Sequence, residues 1–557
     1  EIRSSDWSSD VCSSDLTGGQ ILTDATPGMK KKHFALSTMV FFIYCACAGG
    51  AFGIESMISS SGPGLTLLLL VLIPILWAMP IGLYCSELSN LVPVDAGPYV
   101  WSKMAFGEFW GFSMGFWMGL ANFLTGPAYV VLAVDYIGMY VPLTPVTAFL
   151  LKAVFILVFM IINLRGLEEV SIASTIFCII ILIAFAAVTV VGLIHWENDP
   201  FTPFMVEGDN AFSSWGTGLA IGVWMYCGYV AISFLGGEVE NPQIIPKGMK
   251  IAIVIITASY ILPTLAGIVS VGPWSEWGVS LDYSSVLSVN IAPWAGALFM
   301  IAAVIAQCSI FNALITSASR SFIPMGQDNL VPKFLSKLSP NRRVPVIPIV
   351  LVAVVNMILV NLNFEILVTI LSPVLFVLYV GLAFAYVKIR KEYPVEKRGN
   401  LYYVKSKLAP LYICGGPLII GVISFFVNGT EYFLLGFIAI LAAVVFYPIC
   451  KWIYGGLYKK DPENNPINPK TKLAVGDIER FGFFFLLFGA VCLIGSFFLV
   501  WYEGGWGPAY YLDMYGSGIM SNFWLMIDIA RWSGGIMLVL GIVFLIVGKK
   551  CDPIPKD

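Results

Sequence analysis

Charged residues and histidine are scarce in this sequence. Asp, Glu, Lys and Arg make up 12% of the 557 residues, whereas a soluble domain carries about 25%. A net charge of −3 offers no basic surface for nucleic acid, and two histidines cannot build a metal site alone. The sequence has no G-x-x-x-x-G-K-[ST] loop for ATP and no apparent nucleophile–base set. We therefore expect neither an enzyme nor a bound cofactor or metal.

Apolar residues are abundant. They make up 58% of the chain, the mean hydropathy is +0.85, and apolar runs of about 20 residues recur along its length. The eleven cysteines include no C-x-x-C pair, so we interpret them as small apolar residues. The pattern predicts an all-α, polytopic membrane protein with about fourteen transmembrane helices, at 34–60, 65–89, 110–141, 146–163, 168–194, 211–237, 248–272, 291–322, 345–361, 363–388, 409–427, 431–454, 481–502 and 522–548.

Lys and Arg residues set the predicted orientation, because they accumulate on the cytoplasmic side of membrane proteins. With the N-terminus in the cytoplasm, all of the 31 basic residues except Arg3, Lys152 and Arg531 fall in or beside cytoplasmic segments. The predicted exterior loop 195–210 contains acids but no Lys or Arg. We expect a multi-pass cell membrane protein whose two termini are cytoplasmic.

The predicted domains follow from these spans. The leader contains Ser-Ser-Asp three times and resembles translated adapter DNA. The divisions are an artefact at 1–16, a cytoplasmic N-terminus at 17–33, a ten-helix transport core at 34–390, helices 11 and 12 at 391–455, a cytoplasmic linker at 456–480, two additional helices at 481–548 and a tail at 549–557.

Glycines interrupt the first span. Residues 44–57 read Y-C-A-C-A-G-G-A-F-G-I-E-S-M, and unpaired backbone at membrane depth survives only where protein or a cavity supplies partners. This stretch alone fits a cavity-lining break or close helix packing through small residues equally well. The sixth span has a second interruption at Gly228. Breaks at corresponding positions of two repeats indicate a transport site near the membrane midplane.

These segments, with others downstream, resemble the amino acid–polyamine–organocation superfamily of permeases, over about 34–455. The motifs are G-G-A-F-G-I-E at 49–55, S-E-L at 86–88, G-P-Y-V-W at 97–101, V-V-L-A-V-D-Y at 130–136, G-E-V-E-N-P at 237–242 and M-G-Q-D-N-L-V-P-K-F at 325–334. The nearest likeness is to polyamine/proton symporters and related amino acid permeases. The resemblance implies a five-plus-five inverted-repeat core and alternating access.

The resemblance also implies a substrate site. The first break would offer backbone amides to a substrate carboxylate, through Gly49, Gly50, Ala51, Phe52 and Gly53. The second break would offer carbonyl groups to the substrate amine, through Tyr226, Cys227 and Gly228. Trp224 matches an aromatic gate of the family; alternatively, it is a packing or interfacial tryptophan.

Two departures from the family pattern concern charge. Relatives that select cations often carry an acid where this chain has Val230, and the fifth span lacks the lysine of some proton-coupled relatives. Glu55 and Asp135 are the candidate proton or charge sites, although Glu55 fits equally well as the cap of a half-helix. Glu87 and Asp135 lie nearer the predicted membrane interfaces, which favours roles in the fold or in a gate.

The functional prediction is a secondary active amino acid permease. It moves a small, non-polycationic amino acid across the lipid bilayer by proton symport or by exchange. Two alternatives stay open at this point: a polyamine or cationic amino acid transporter, and a nutrient sensor that no longer transports. The sequence does not fix the oligomeric state, the coupling ion or the role of the last two helices.

Overall fold

The computed structural model describes residues 35–138, 141–206, 211–234, 239–362, 367, 371–427 and 429–554. The described residues are almost entirely helical, and their β pairing consists of two isolated bridges. The all-α class is therefore confirmed. The predicted segments 1–16 and 17–33 lie outside the described residues, as do residues 237 and 238 of the G-E-V-E-N-P motif.

The first half of the core contains eight helices, which lie at the first five predicted spans. A π-helical turn at Pro74–Ala78 joins the third and fourth helices into one span. The helices are α1 (Leu36–Cys47), α2 (Glu55–Ser61), α3 (Pro63–Ile73), α4 (Met79–Leu91), α5 (Gly97–Phe106), α6 (Glu108–Gly138), α7 (Pro145–Arg165) and α8 (Leu167–Ile194).

The second half begins with another interrupted span. Its first helix is followed by a 3₁₀ helix at Tyr229–Phe234. The remaining helices are α9 (Ala211–Met225), α10 (Ile244–Ser270), α11 (Tyr283–Asn290), α12 (Pro293–Ser321), α13 (Ile323–Gln327), α14 (Val346–Leu359), α15 (Leu371–Glu392), α16 (Ala409–Val427), α17 (Thr430–Tyr454), α18 (Asp477–Glu503), α19 (Gly507–Tyr515) and α20 (Phe523–Cys551).

Within the described residues, 12 helices are long and apolar enough to cross a membrane, which makes this a multi-pass membrane protein. Two shorter apolar helices, α1 and α14, lie at the predicted first and ninth spans. They contain 12 and 14 residues, fewer than the roughly 20 that cross a bilayer. The predicted total of fourteen spans therefore stays a prediction.

The order of elements repeats between the two halves. Each half opens with an interrupted span, and each places a short helix, α5 or α11, directly before its long third span. With α1 and α14 counted as membrane crossings, as the sequence predicts, each half has five spans and the two halves cross the membrane in opposite directions. This arrangement agrees with the five-plus-five inverted repeat that the sequence predicts.

The first helix lies at the centre of the core. Helix α1 packs against α8, α10 and α12, and Tyr44, Cys45 and Ala48 are fully buried or nearly so. The break that follows α1 is therefore enclosed by protein rather than by lipid. An interrupted backbone needs that environment at membrane depth.

The two C-terminal helices form an antiparallel pair beside α16 and α17. Glycines bring their backbones together: a Cβ on Gly482 would lie 2.7 Å from the backbone nitrogen of Leu545, and one on Gly489 would lie 3.0 Å from the carbonyl oxygen of Gly534. Small residues permit this close packing in membranes, where water does not drive helices together.

Glu87 anchors the end of α4 to the segment that follows α15. The carboxylate is fully buried and accepts from Arg398 at 2.6 Å, from Arg390 at 2.8 Å and from the backbone N–H of Val404 at 2.8 Å. A buried carboxylate needs such partners. Of the two roles predicted for Glu87, this geometry favours the role in the fold.

Two further buried carboxylates hold the polar linker against the core. Glu108, at the start of α6, accepts from Lys451 of α17 at 2.6 Å and from the backbone N–H of Leu457, in the linker, at 3.4 Å. Asp328, just after α13, accepts from Tyr99 at 2.6 Å, contacts Lys103, and pairs at 3.0 Å with Lys460 of the linker.

Candidate functional site

The first span is interrupted where the sequence predicts it. Helix α1 ends at Cys47 and α2 begins at Glu55, so residues 48–54 form a non-helical segment. Gly50 and Gly53 have φ angles of +89° and +99°, a left-handed conformation that glycine adopts without steric cost. A Cβ on Gly50 would also meet the Phe185 ring at 1.9 Å. The glycines are therefore required by the shape of the break itself.

The break leaves several backbone N–H groups without a protein acceptor. The amide of Gly53 donates to Glu55 at 2.6 Å, and that of Ile54 donates to the Ala51 carbonyl group at 3.1 Å. Within the described residues, no hydrogen bond pairs the amides of Gly49, Gly50, Ala51 or Phe52. Four free donors at the start of a half-helix make an electropositive environment for an anion.

The sixth span is interrupted between Met225 and Tyr229. Gly228 has φ +102°, and a Cβ there would lie 2.5 Å from the Ala46 carbonyl oxygen. The second break therefore packs against the last turn of α1, directly before the first break. The N–H of Gly228 donates to the Tyr379 hydroxyl at 3.1 Å.

Two of the three predicted carbonyl groups have no hydrogen-bond partner among the described residues. The Gly228 carbonyl already accepts from the N–H of Ala231 at 2.8 Å. Across the described part of the chain, the carbonyl groups of Tyr226 and Cys227 accept no hydrogen bond. Of the three predicted acceptors, the Gly228 carbonyl group is therefore already paired.

A small cavity lies beside the breaks, with a volume of about 10 Å³, room for about one water molecule. Of the predicted site residues, Gly49, Gly50, Phe52 and Trp224 line it. Ala51, Gly53, Tyr226, Cys227 and Gly228 are close in the chain but do not form its wall. The other lining residues, which the sequence did not single out, are Cys47, Tyr129, Met225, Tyr260, Gln307 and Ile310.

Aromatic rings close around this cavity. The Phe52 ring lies 5.0 Å from Phe185 and 5.6 Å from Phe299, measured between centroids. Trp224 stacks on Tyr129 at 5.9 Å with an interplanar angle of 15°. Such pairs add stability beyond the area they bury, and residues 49–52 of the first break are buried in this conformation.

The candidate charge sites lie outside the cavity wall. Glu55 is 7% exposed and uses its carboxylate to accept from the Gly53 amide, as a half-helix cap does. Asp135 is exposed near the end of α6, whereas the next residue, Tyr136, faces the Phe52 ring at 5.7 Å. Asp135 therefore points away from the breaks.

Comparison with known proteins identifies the family. The family model for amino acid permeases matches residues 34–451, which is most of the chain. The chain belongs to the amino acid permease family. It is thus a transporter of the amino acid–polyamine–organocation superfamily.

Individual relatives are plant transporters. The chain is 26% identical to the polyamine transporter RMV1 of Arabidopsis thaliana over 444 residues, which cover 78% of this chain and 89% of that protein. It is 28% identical to the polyamine transporter PUT1 of Oryza sativa subsp. japonica, over 54% of this chain and 56% of that protein. A relative named as a probable polyamine transporter of Arabidopsis thaliana is 29% identical, but the match spans only 62% of its length.

The permease has an uncharged wall at this site. Val230 is fully buried in the 3₁₀ helix, and the ten residues around the cavity include no Asp or Glu. A polycation held at membrane depth needs an opposing charge. The carboxylate of Glu55, at the end of the first break, is already bonded to the Gly53 amide.

Proposed function

We propose that this permease moves a small amino acid with an uncharged side chain by alternating access. The observation that carries the proposal is the set of free amides at Gly49, Gly50, Ala51 and Phe52. A substrate carboxylate would accept from them, while its amine would donate to the carbonyl groups of Tyr226 and Cys227. Glycine at positions 49 and 50 lets Ile310 and the Phe185 ring pack directly against the segment that carries these amides.

The energy source and the gate are parts of the same proposal. Transport would be coupled to protons or to exchange, in the cell membrane, with cytoplasmic termini. Trp224 would act as a gate, since its ring stacks on Tyr129 and lines the cavity. Opening the site would separate these rings and enlarge a space that holds about one water molecule.

Polyamine transport is the second candidate, because the plant relatives are named for it. A polyamine has no carboxylate to accept from the free amides, and its ammonium groups would meet no acidic side chain in the cavity wall. The site chemistry therefore supports an amino acid over a polyamine.

Transport by the purified protein in liposomes tests the choice. We expect saturable uptake of alanine or serine, stimulated by a pH gradient or by internal amino acid, and little uptake of spermidine or arginine. Spermidine uptake exceeding that of every amino acid would support the polyamine candidate instead. Ligand-dependent thermal stabilisation without any uptake would indicate a sensor.

Competition by analogues tests the carboxylate contact without a mutation. Alaninamide keeps the amine and the side chain of alanine but lacks the carboxylate. Hydrogen bonds to a charged group contribute about 1.5–3 kcal/mol, so alaninamide should compete at least roughly tenfold more weakly than alanine. Equal competition would contradict the proposed role of the free amides.

A further inference from the structure

We infer that Gln307 selects substrates whose side chain carries an uncharged hydrogen-bond donor, such as a hydroxyl or amide group. The inference rests on the proposed function, because it names the residue that would contact the side chain of the same substrate. The sequence places Gln307 within an apolar run of α12, M-I-A-A-V-I-A-Q-C-S-I-F-N. It was not among the site residues predicted from the sequence.

The position of Gln307 follows from the contact between α12 and the first break. A Cβ on Gly49 would lie 3.2 Å from the Ala306 carbonyl oxygen and 2.7 Å from Cδ1 of Ile310. Gln307 lies between these two contacts in the chain, and it lines the cavity together with Gly49 and Ile310. Its side chain is therefore next to the free amides of the break.

The side-chain oxygen of Gln307 has no protein partner. The residue is 2% exposed, and its Oε1 is buried without a hydrogen bond to any described residue. Leaving a buried acceptor unpaired is unfavourable, and native proteins pair the large majority of such atoms. An unpaired acceptor on a cavity wall is explained if the ligand supplies the donor.

Other polar side chains of the same helix are paired. Thr316 donates to Asn163 at 2.6 Å, Asn312 accepts from Asn163 at 3.0 Å, and Ser309 donates to the Ala306 carbonyl group at 2.9 Å. These residues hold helices together or bond within α12. Gln307 differs from them because it lines the cavity and its side-chain oxygen accepts no hydrogen bond from a described residue.

The chemistry of the wall narrows the ligand class. A carbonyl oxygen accepts from a hydroxyl or amide group, whereas an alkyl side chain would leave it unpaired. A cationic side chain would also donate, but the wall supplies no carboxylate to balance its charge. The small cavity favours a short side chain, and the Gln307 oxygen favours one that carries a donor. We therefore expect serine to be preferred over alanine.

Relative uptake of serine and alanine tests this inference in reconstituted wild-type protein. We expect serine to have a kcat/KM about tenfold above that of alanine, the usual size of one neutral hydrogen bond. In Gln307→Leu, the ratio should fall to about one, mainly through loss of serine uptake. Ser309→Ala, which removes a polar group of the same helix that bonds within α12 and does not line the cavity, should keep the wild-type ratio.

The outcomes separate the two proposals. If the wild-type protein takes up no amino acid, the proposed function fails and this inference fails with it. If it takes up both amino acids equally, or if Gln307→Leu keeps the preference for serine, only the role of Gln307 is overturned. A wild-type ratio near one overturns the role of Gln307 even if the leucine variant does not fold.

Discussion

At the residue scale, the Glu55 carboxylate stabilises the conformation of the first break. Its oxygen accepts from the Gly53 amide at 2.6 Å, and it thereby uses one donor of the break internally. The amides before Gly53 remain open to a ligand. A cap on one side of the break thus helps to define which donors would face a substrate at the proposed site.

Glu55→Ala should lower the free energy of unfolding by about 1–3 kcal/mol, because a buried amide loses its acceptor. Glu55→Gln should cost less, since its amide oxygen still accepts a hydrogen bond. Thermal unfolding in detergent measures both changes. If capping is the whole role, Glu55→Gln should also keep any dependence of uptake on the pH gradient, and loss of that dependence would assign a proton to Glu55.

At the element scale, glycine has two different tasks in this protein. In the breaks, Gly50, Gly53 and Gly228 adopt positive φ angles. In the pair formed by α18 and α20, glycines remain helical and allow close backbone contact. The sequence predicts only the first task, because the glycines of the first span are matched by a second interruption at Gly228.

The packing of α18 on α20 can be tested with two neighbouring glycines of α20. A Cβ on Gly534 would meet the Gly489 carbonyl oxygen at 3.1 Å and Leu493 at 3.0 Å, whereas a Cβ on Gly535 meets nothing within 4 Å. Gly534→Leu should destabilise the protein by roughly 1–3 kcal/mol through overpacking. Gly535→Leu is the matched control and should unfold like the wild type, so equal unfolding of both variants would contradict the packing.

The sequence predicts the order of the helices and both interruptions because these depend on local composition. It does not predict which distant residues meet. Glu108 and Lys451 pair across 343 positions, and nothing local to either residue indicates the other. Gln307 had a local signal, a lone glutamine in an apolar helix, but only the fold shows that it faces the breaks.

At the scale of the whole molecule, Asp328 joins the linker to the transport core. Burial acts to raise the pKa of Asp328, but the ammonium groups of Lys103 and Lys460 and the hydrogen bond from Tyr99 outweigh it. The pKa therefore lies below its ordinary value of 3.8. The linker adds a second contact, from the Gly456 amide to the Asn329 carbonyl group at 2.9 Å.

The lowered pKa of Asp328 predicts how stability changes with pH. The ionised group stabilises the fold fully above its unfolded pKa of about 3.9, and this contribution is lost as the pH falls through the lower folded value. Asp328→Asn should therefore be less stable than the wild type at pH about 7, by roughly 1–3 kcal/mol. The difference should shrink as the pH approaches about 3.

Thermal unfolding of both proteins across this pH range measures the effect. Asp528→Asn is the control, because Asp528 is 59% exposed and its pair with Arg531 spans 3.8 Å, a geometry that contributes little. A difference between wild type and Asp328→Asn that stays constant with pH would contradict the ionised role of Asp328.

The size of the cavity at the breaks has an electrical consequence. A space for about one water molecule, covered by the rings of Phe52 and Trp224, cannot hold a continuous file of water. Protons and small ions need such a file to move through a protein without a carrier. In this conformation we therefore expect no ions to leak through the breaks, and a coupling ion of the proposed transport would cross only after these rings separate.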